Sequence, residues 1–141
     1  MDQRLSLITL GVRDLAASRA FYRRLGWIES SASNEHIAFF QIGGVAFALF
    51  GWDSLAEDAQ VPAAASGFRG VTLAFNARSR EEADRYHSEM VAAGATAVKP
   101  MLDTVWGGYS GYVADPDGHL IEIAHNPFWG IDATGAVILP A

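Results

Sequence analysis

Residues 107–127 of this 141-residue chain, GGYSGYVADPDGHLIEIAHNP, gather several side chains capable of chemistry. They offer a serine between glycines, two aspartates flanking a proline, and His119, Glu122 and His125 at three-residue intervals. Read as text, these suggest a serine nucleophile, a carboxylate pair and a metal-ligand trio. The backbone expected there removes each in turn. The run GYSGY misses the G-x-S-x-G elbow because Tyr112 stands at the last glycine and no helix pattern follows, so Ser110 reads as a strand hydroxyl. Asp115-Pro-Asp-Gly118 is turn chemistry: proline presets φ, aspartate bonds the backbone ahead of it, and glycine takes the left-handed position. Gly107, Gly108 and Gly111 precede no helix and so cannot cradle a phosphate on helix amides; a bulge or a close backbone approach is what they leave open. Side chains alternate along a strand, so Glu122 points with Leu120 and Ala124 while His119 and His125 point the other way. The trio comes apart.

Glu122 survives this sorting. Its neighbours in HLIEIA are mainly apolar, and a carboxylate on the inner face of such a strand needs a donor or a raised pKa. One reading is an ion pair, with Arg69 as a candidate partner. The other is contact with a ligand's polar group, of which acid/base catalysis is a narrower version. The remaining histidines add little: His87 falls on a polar-rich helix and His36 opens a strand. Aromatic residues cluster at Phe39, Phe47, Phe50 and Trp52, at Trp106, Tyr109 and Tyr112, and at Phe128 and Trp129. Most aromatics are core, so only some of these can wall a binding site.

The elements that must position these residues repeat. LSLITLGV is rich in strand formers and ends at Asp14, an N-cap for a helix through LAASRAFYRRLG that Gly26 stops. Strands are expected at 27–33, 36–42 and 45–51, with a turn at Gly43-Gly44. A connector with one short helical turn covers 52–67. Then GVTLAF at 70–75 repeats the opening LITLGV, and Ser79-Arg-Glu-Glu82 forms a capping box for a second helix closed by Gly94. Strands recur at 96–101, 109–114 and 119–124. The spacing predicts a duplicated βαβββ unit.

Composition bounds the function. Half the residues are hydrophobic and 18% are charged, as in globular chains. A net charge of −6 without a Lys/Arg-rich run argues against nucleic acid. The absence of cysteine removes disulfides, thiolate metal sites and cysteine nucleophiles. The opening MDQRLSL has no basic segment leading into an apolar stretch, and the longest apolar run is broken by Gln41 and two glycines. A cytoplasmic protein without a membrane partner is the expectation.

A pair of βαβββ units in which VRDLAASRAFYRRLGW follows the first strand and YVADPDGHLIEI closes the last hairpin resembles the vicinal oxygen chelate superfamily, which includes glyoxalase I, bleomycin-resistance proteins and extradiol dioxygenases. The resemblance covers about residues 5–127. It implies an α+β fold in which the units form an open, curved mixed β-barrel with helices outside. The chain then divides into a unit at about 5–51, a connector at 52–67, a unit at 68–126 and a tail at 127–141, whose IDATGAVILP suits a strand pair around Gly135. The resemblance also implies four metal-ligand positions, which fall here on Leu7, Ala48, Gly70 and Glu122. Only Glu122 can bind a metal, so no metal or other cofactor is expected.

The resulting expectation is a metal-independent small-molecule-binding protein of glyoxalase/bleomycin-resistance type. Glu122 anchors an apolar or aromatic ligand walled by Phe39, Phe50, Trp52, Trp106 and Tyr109, and the resemblance favours a homodimer. The alternative is a lyase- or isomerase-type enzyme with Glu122 as general acid/base and a tyrosine partner. A metal-dependent glyoxalase or dioxygenase is disfavoured by the missing ligands.

Overall fold

The computed structural model describes residues 7–60, 62–64, 67, 69 and 71–138. The chain divides into two units, residues 1–70 and 71–141, each with its own mixed sheet. The class is α+β.

In the first unit, β1 (Leu7–Val12) runs parallel to β3 (Val45–Gly51), which pairs antiparallel with β2 (Ile37–Ile42), giving the order β1-β3-β2. Helix α1 (Leu15–Arg24) begins where Asp14, in extended backbone, accepts the Ala17 amide at 2.9 Å, and its last turn carries Arg23 and Arg24 beside the exposed carbonyls. It buries Ser18, Phe21 and Tyr22. Tyr22 packs on Phe47 and Trp27 with ring centroids 5.0 Å apart in each case, and Phe40 closes the cluster. That aromatic seam fixes one face of the sheet as the helix face. Phe47 and Leu49 lie on it, so Ala46, Ala48 and Phe50 lie on the other.

Residues 27–33 do not form the expected strand. One bridge joins Glu29 to Phe40, the Trp27, Ser30 and Ser33 amides donate to the Tyr22, Phe39 and Ser30 carbonyls, and side chains add to these. Ser33 Oγ accepts the Phe39 amide at 2.8 Å, and Asn34 Oδ1 accepts the His36 and Ile37 amides. Short polar side chains thus take backbone partners that a ladder would have used. Glu29 itself is drawn to Arg19 and Arg23. The expected connector opens with more helix than one turn: α2 spans Trp52–Asp58.

In the second unit the order is β4-β7-β6-β5, with β4 (Leu73–Asn76) parallel to β7 (Leu120–His125) and β5 (Thr96–Asp103), β6 (Tyr109–Ala114) and β7 antiparallel in sequence. Helix α3 (Arg80–Ala93) starts at Ser79, whose Oγ accepts the Glu82 amide at 3.2 Å. The Glu82 carboxylate accepts the amide of Arg78 at 2.6 Å, one residue earlier than a standard capping box places it. Gly94 ends the helix in left-handed backbone. The 115–119 turn forms as expected, with Asp115 Oδ1 accepting the amides of Asp117 and His119. Two short strands, β8 (Gly130–Ile131) and β9 (Val137–Ile138), pair around Gly135, and Arg78 donates to the Asp132 carbonyl at 2.9 Å. No helix among the described residues is long and apolar enough to cross a membrane.

Candidate functional site

Register places Glu122 in a row that crosses the second sheet. Ala74 of β4 and Tyr112 of β6 flank it, and Lys99 of β5 stands beyond Tyr112. The row continues as contact, since Lys99 Nζ lies 5.8 Å from the centre of the Tyr112 ring. Glu122 is half-buried. Burial raises the Tyr112 phenol above its usual value, the negative charge of Glu122 raises it further, and a hydrogen bond to that carboxylate adds again. Tyr112 therefore stays a neutral O–H donor beside a carboxylate acceptor. The Arg69 guanidinium lies 5.0 Å from the Trp52 ring centre.

Which face carries this row follows from Tyr109. Its hydroxyl donates to Asp84 Oδ1 of α3 at 2.8 Å, so Tyr109, Gly111 and Val113 form the helix face. That hydrogen bond is also the main cause raising the Tyr109 phenol. Tyr112 and Glu122 occupy the opposite face, which leaves Tyr109 apart from Glu122. His125 is the register partner of Tyr109 and approaches the Ala77 carbonyl through Nδ1 at 3.1 Å. His125 thus lies on the sheet face away from Glu122.

The strand beside Tyr112, β5, carries the extra residues of a bulge. An added Cβ on Gly111 would stand 2.7 Å from Met101 Sδ and 2.9 Å from the Lys99 carbonyl, and the β5–β6 register shifts on both sides of Lys99. Glycine permits the close approach, and the bulge sets Lys99 opposite Tyr112.

The other expected ligand-wall residues fall as follows. Phe39 and Phe50 lie on the first sheet's face away from α1, Phe39 being the register partner of Ala48. Trp52 opens α2. Trp106 sits in the turn before β6, 45% exposed, with its ring lying on Gly108. Sequence reasoning missed Tyr112. Counting outward from the turn would have found it, since Ala114 pairs with Leu120, Val113 with Ile121, and Tyr112 with Glu122.

The residues present do not fit a metal centre of the kind the resemblance implied. Leu7 pairs with Ala46, and the partner of Ala48 in β1 is Thr9. Gly70 lies outside the described residues, and the β4 residue beside Glu122 is Ala74. Transition-metal sites use three or four protein ligands of the His, Cys or carboxylate type. Among the described residues no three His, Asp or Glu side chains converge.

Comparison with known proteins gives the fold its family. The model for the Glyoxalase/Bleomycin resistance protein/Dioxygenase superfamily matches residues 4–123, and the chain belongs to that superfamily. A glyoxalase-related enzyme from Fulvimarina pelagi is 40% identical, with 99% of each chain covered and a TM-score of 0.89. A genomically encoded fosfomycin resistance protein from Listeria monocytogenes is 32% identical over 89% of this chain and 95% of that one, with a TM-score of 0.67. Lactoylglutathione lyase from Agrobacterium tumefaciens is 25% identical over 94% of this chain and 100% of that one, with a TM-score of 0.69. None of the curated proteins compared with the chain matches it.

Proposed function

We propose that the chain is a metal-independent small-molecule-binding protein, holding an apolar or aromatic ligand in the cavity of an open, curved barrel with Glu122 as polar anchor. The observation that carries this reading is the row Ala74–Glu122–Tyr112: a half-buried carboxylate with a phenol beside it and no second carboxylate or histidine in the row. With the one phenol O–H given to Glu122, the pair meets a ligand with acceptor lone pairs on both groups, while Leu120, Ala114 and Ala124 on the same face supply apolar contact. Superfamily membership supports small-molecule binding, and the similarity to a fosfomycin resistance protein supports sequestration of a drug-like or metabolite ligand. A homodimer belongs to the same reading, and sedimentation would measure it. The test is native mass spectrometry of protein purified from its own host: a retained small-molecule mass that Glu122→Gln loses is the expected result.

A second reading is a lyase- or isomerase-type enzyme. It is favoured by the Tyr112 phenol beside Glu122, because a carboxylate that can accept a proton and a phenol that can donate one are what acid/base chemistry requires. Turnover that depends on pH and disappears in Glu122→Gln while ligand is still bound would select this reading over binding alone.

A further inference from the structure

Lys99 is the only lysine of the chain; the other nine basic residues are arginines. An arginine keeps its proton at any working pH, whereas a lysine can lose one and attack carbon. The single residue with that chemistry shares a face with Tyr112 and Glu122. Register pairs Lys99 with Tyr112 and Tyr112 with Glu122, so an amine, a phenol and a carboxylate occupy one row across three strands. Lys99 is half-buried there, and its Nζ lies 5.8 Å from the centre of the Tyr112 ring. Its neighbours fix its place: the β5 bulge sets it opposite Tyr112, the bare Gly111 admits its carbonyl, and Pro100 holds its backbone extended. Among the described residues the ammonium serves no ion pair; these run through arginines and one histidine. A cation over an aromatic ring contributes about 0.5–1 kcal/mol where water reaches it, little enough for a ligand to offset.

We propose that Lys99 forms a reversible imine with a ligand that carries an aldehyde or ketone on an apolar or aromatic body. This rests on the reading that the Glu122 face holds the ligand. The ammonium first gives a proton to the Tyr112–Glu122 pair. The Nζ lone pair then forms a bond to the carbonyl carbon, the π electrons of C=O move to oxygen, and a proton passes from nitrogen to that oxygen. The carbinolamine takes the stored proton on its hydroxyl and expels it as water, leaving a C=N bond whose nitrogen is protonated. No other reactant enters. The protonated imine is a cation and a donor, and the lone pairs of the phenol oxygen and the carboxylate are acceptors suited to it.

The experiment incubates the full chain with benzaldehyde and sodium cyanoborohydride, which reduces an imine to a stable amine, and locates the benzyl group by peptide mass mapping. Nα-acetyl-lysine amide in the same tube reports the rate of an ordinary ε-amine. Because positioned proton transfer contributes about 10²–10⁴-fold, Lys99 should be labelled at least about tenfold faster than this reference. Glu122→Gln and Tyr112→Phe should each slow labelling at Lys99 by about tenfold or more, and either one serves should the other fail to fold. Labelling no faster than the reference, or a rate unmoved by both substitutions, would overturn the proposal. Slow labelling in a chain that still retains a small-molecule mass lost in Glu122→Gln would overturn the imine and leave the binding reading standing.

Discussion

Tyr112 gives its one O–H to Glu122, so both groups meet a ligand as acceptors. Replacing Glu122 with Gln should weaken binding of the native ligand about tenfold or more, because a hydrogen bond to a charged group contributes about 1.5–3 kcal/mol. Ligand binding by calorimetry, alongside a melting curve that stays near that of the parent, would check it. The phenol gives a pH dependence with a definite sign. Its folded-state value lies above the ordinary 10.0, so the stability it contributes is fully present below pH 10.0 and is lost as pH rises through the folded-state value. Tyr112→Phe should therefore lose less stability than the parent above that pH, measured by denaturant unfolding across the alkaline range. At this scale the sequence was half legible. Glu122 stood out because a carboxylate among apolar strand residues is rare, whereas Tyr112 was hidden by Tyr109, an equally plausible tyrosine of opposite parity.

The elements rest on a few local devices, and these are where stability is most exposed to single changes. Asp14→Ala removes the acceptor for the Ala17 amide and should cost about 1 kcal/mol, read by urea unfolding. Gly111→Ala should cost more, on the order of 1–3 kcal/mol, since its Cβ would meet the Lys99 carbonyl at 2.9 Å and Met101 Sδ at 2.7 Å. It should also perturb Lys99 and Tyr112, visible as a chemical-shift change confined to β5 and β6. Helices were legible because their ends carry unambiguous chemistry: Asp14, Ser79 and Gly94. The segment 27–33 was not, because its serines and Asn34 satisfy the backbone locally, and periodicity of hydrophobic residues does not register that competition. The β5 bulge opposite Gly111 was only partly legible, since a strand glycine signals close approach without naming what approaches.

On the scale of the whole chain, the two sheets repeat the same parallel pairing of first and last strands, β1 with β3 and β4 with β7, yet differ by one strand. The missing strand is the serine-rich segment. Order of elements was therefore readable from the duplicated pattern, while strand register was not: the partners of Ala48 and Glu122 on the neighbouring parallel strands are Thr9 and Ala74. Among the described residues no three donors for a transition metal converge. Elemental analysis after mild purification should find well below one Zn, Ni or Fe per chain, and a chelator should leave the melting temperature unchanged. About one metal per chain that survives dialysis would refute this.

Arg78 gives its amide to the Glu82 carboxylate and its guanidinium to the Asp132 carbonyl. The start of α3 and the β8–β9 hairpin thus share one residue, and paired strands of two residues each have little cohesion of their own. The hairpin should behave as a separate opening unit whose amide protons exchange with deuterium long before those of β6 and β7. Arg78→Ala should speed exchange at the β8–β9 amides selectively and leave the slowest-exchanging core amides where they were. A tail held in this way can be released without unfolding the sheet it leaves.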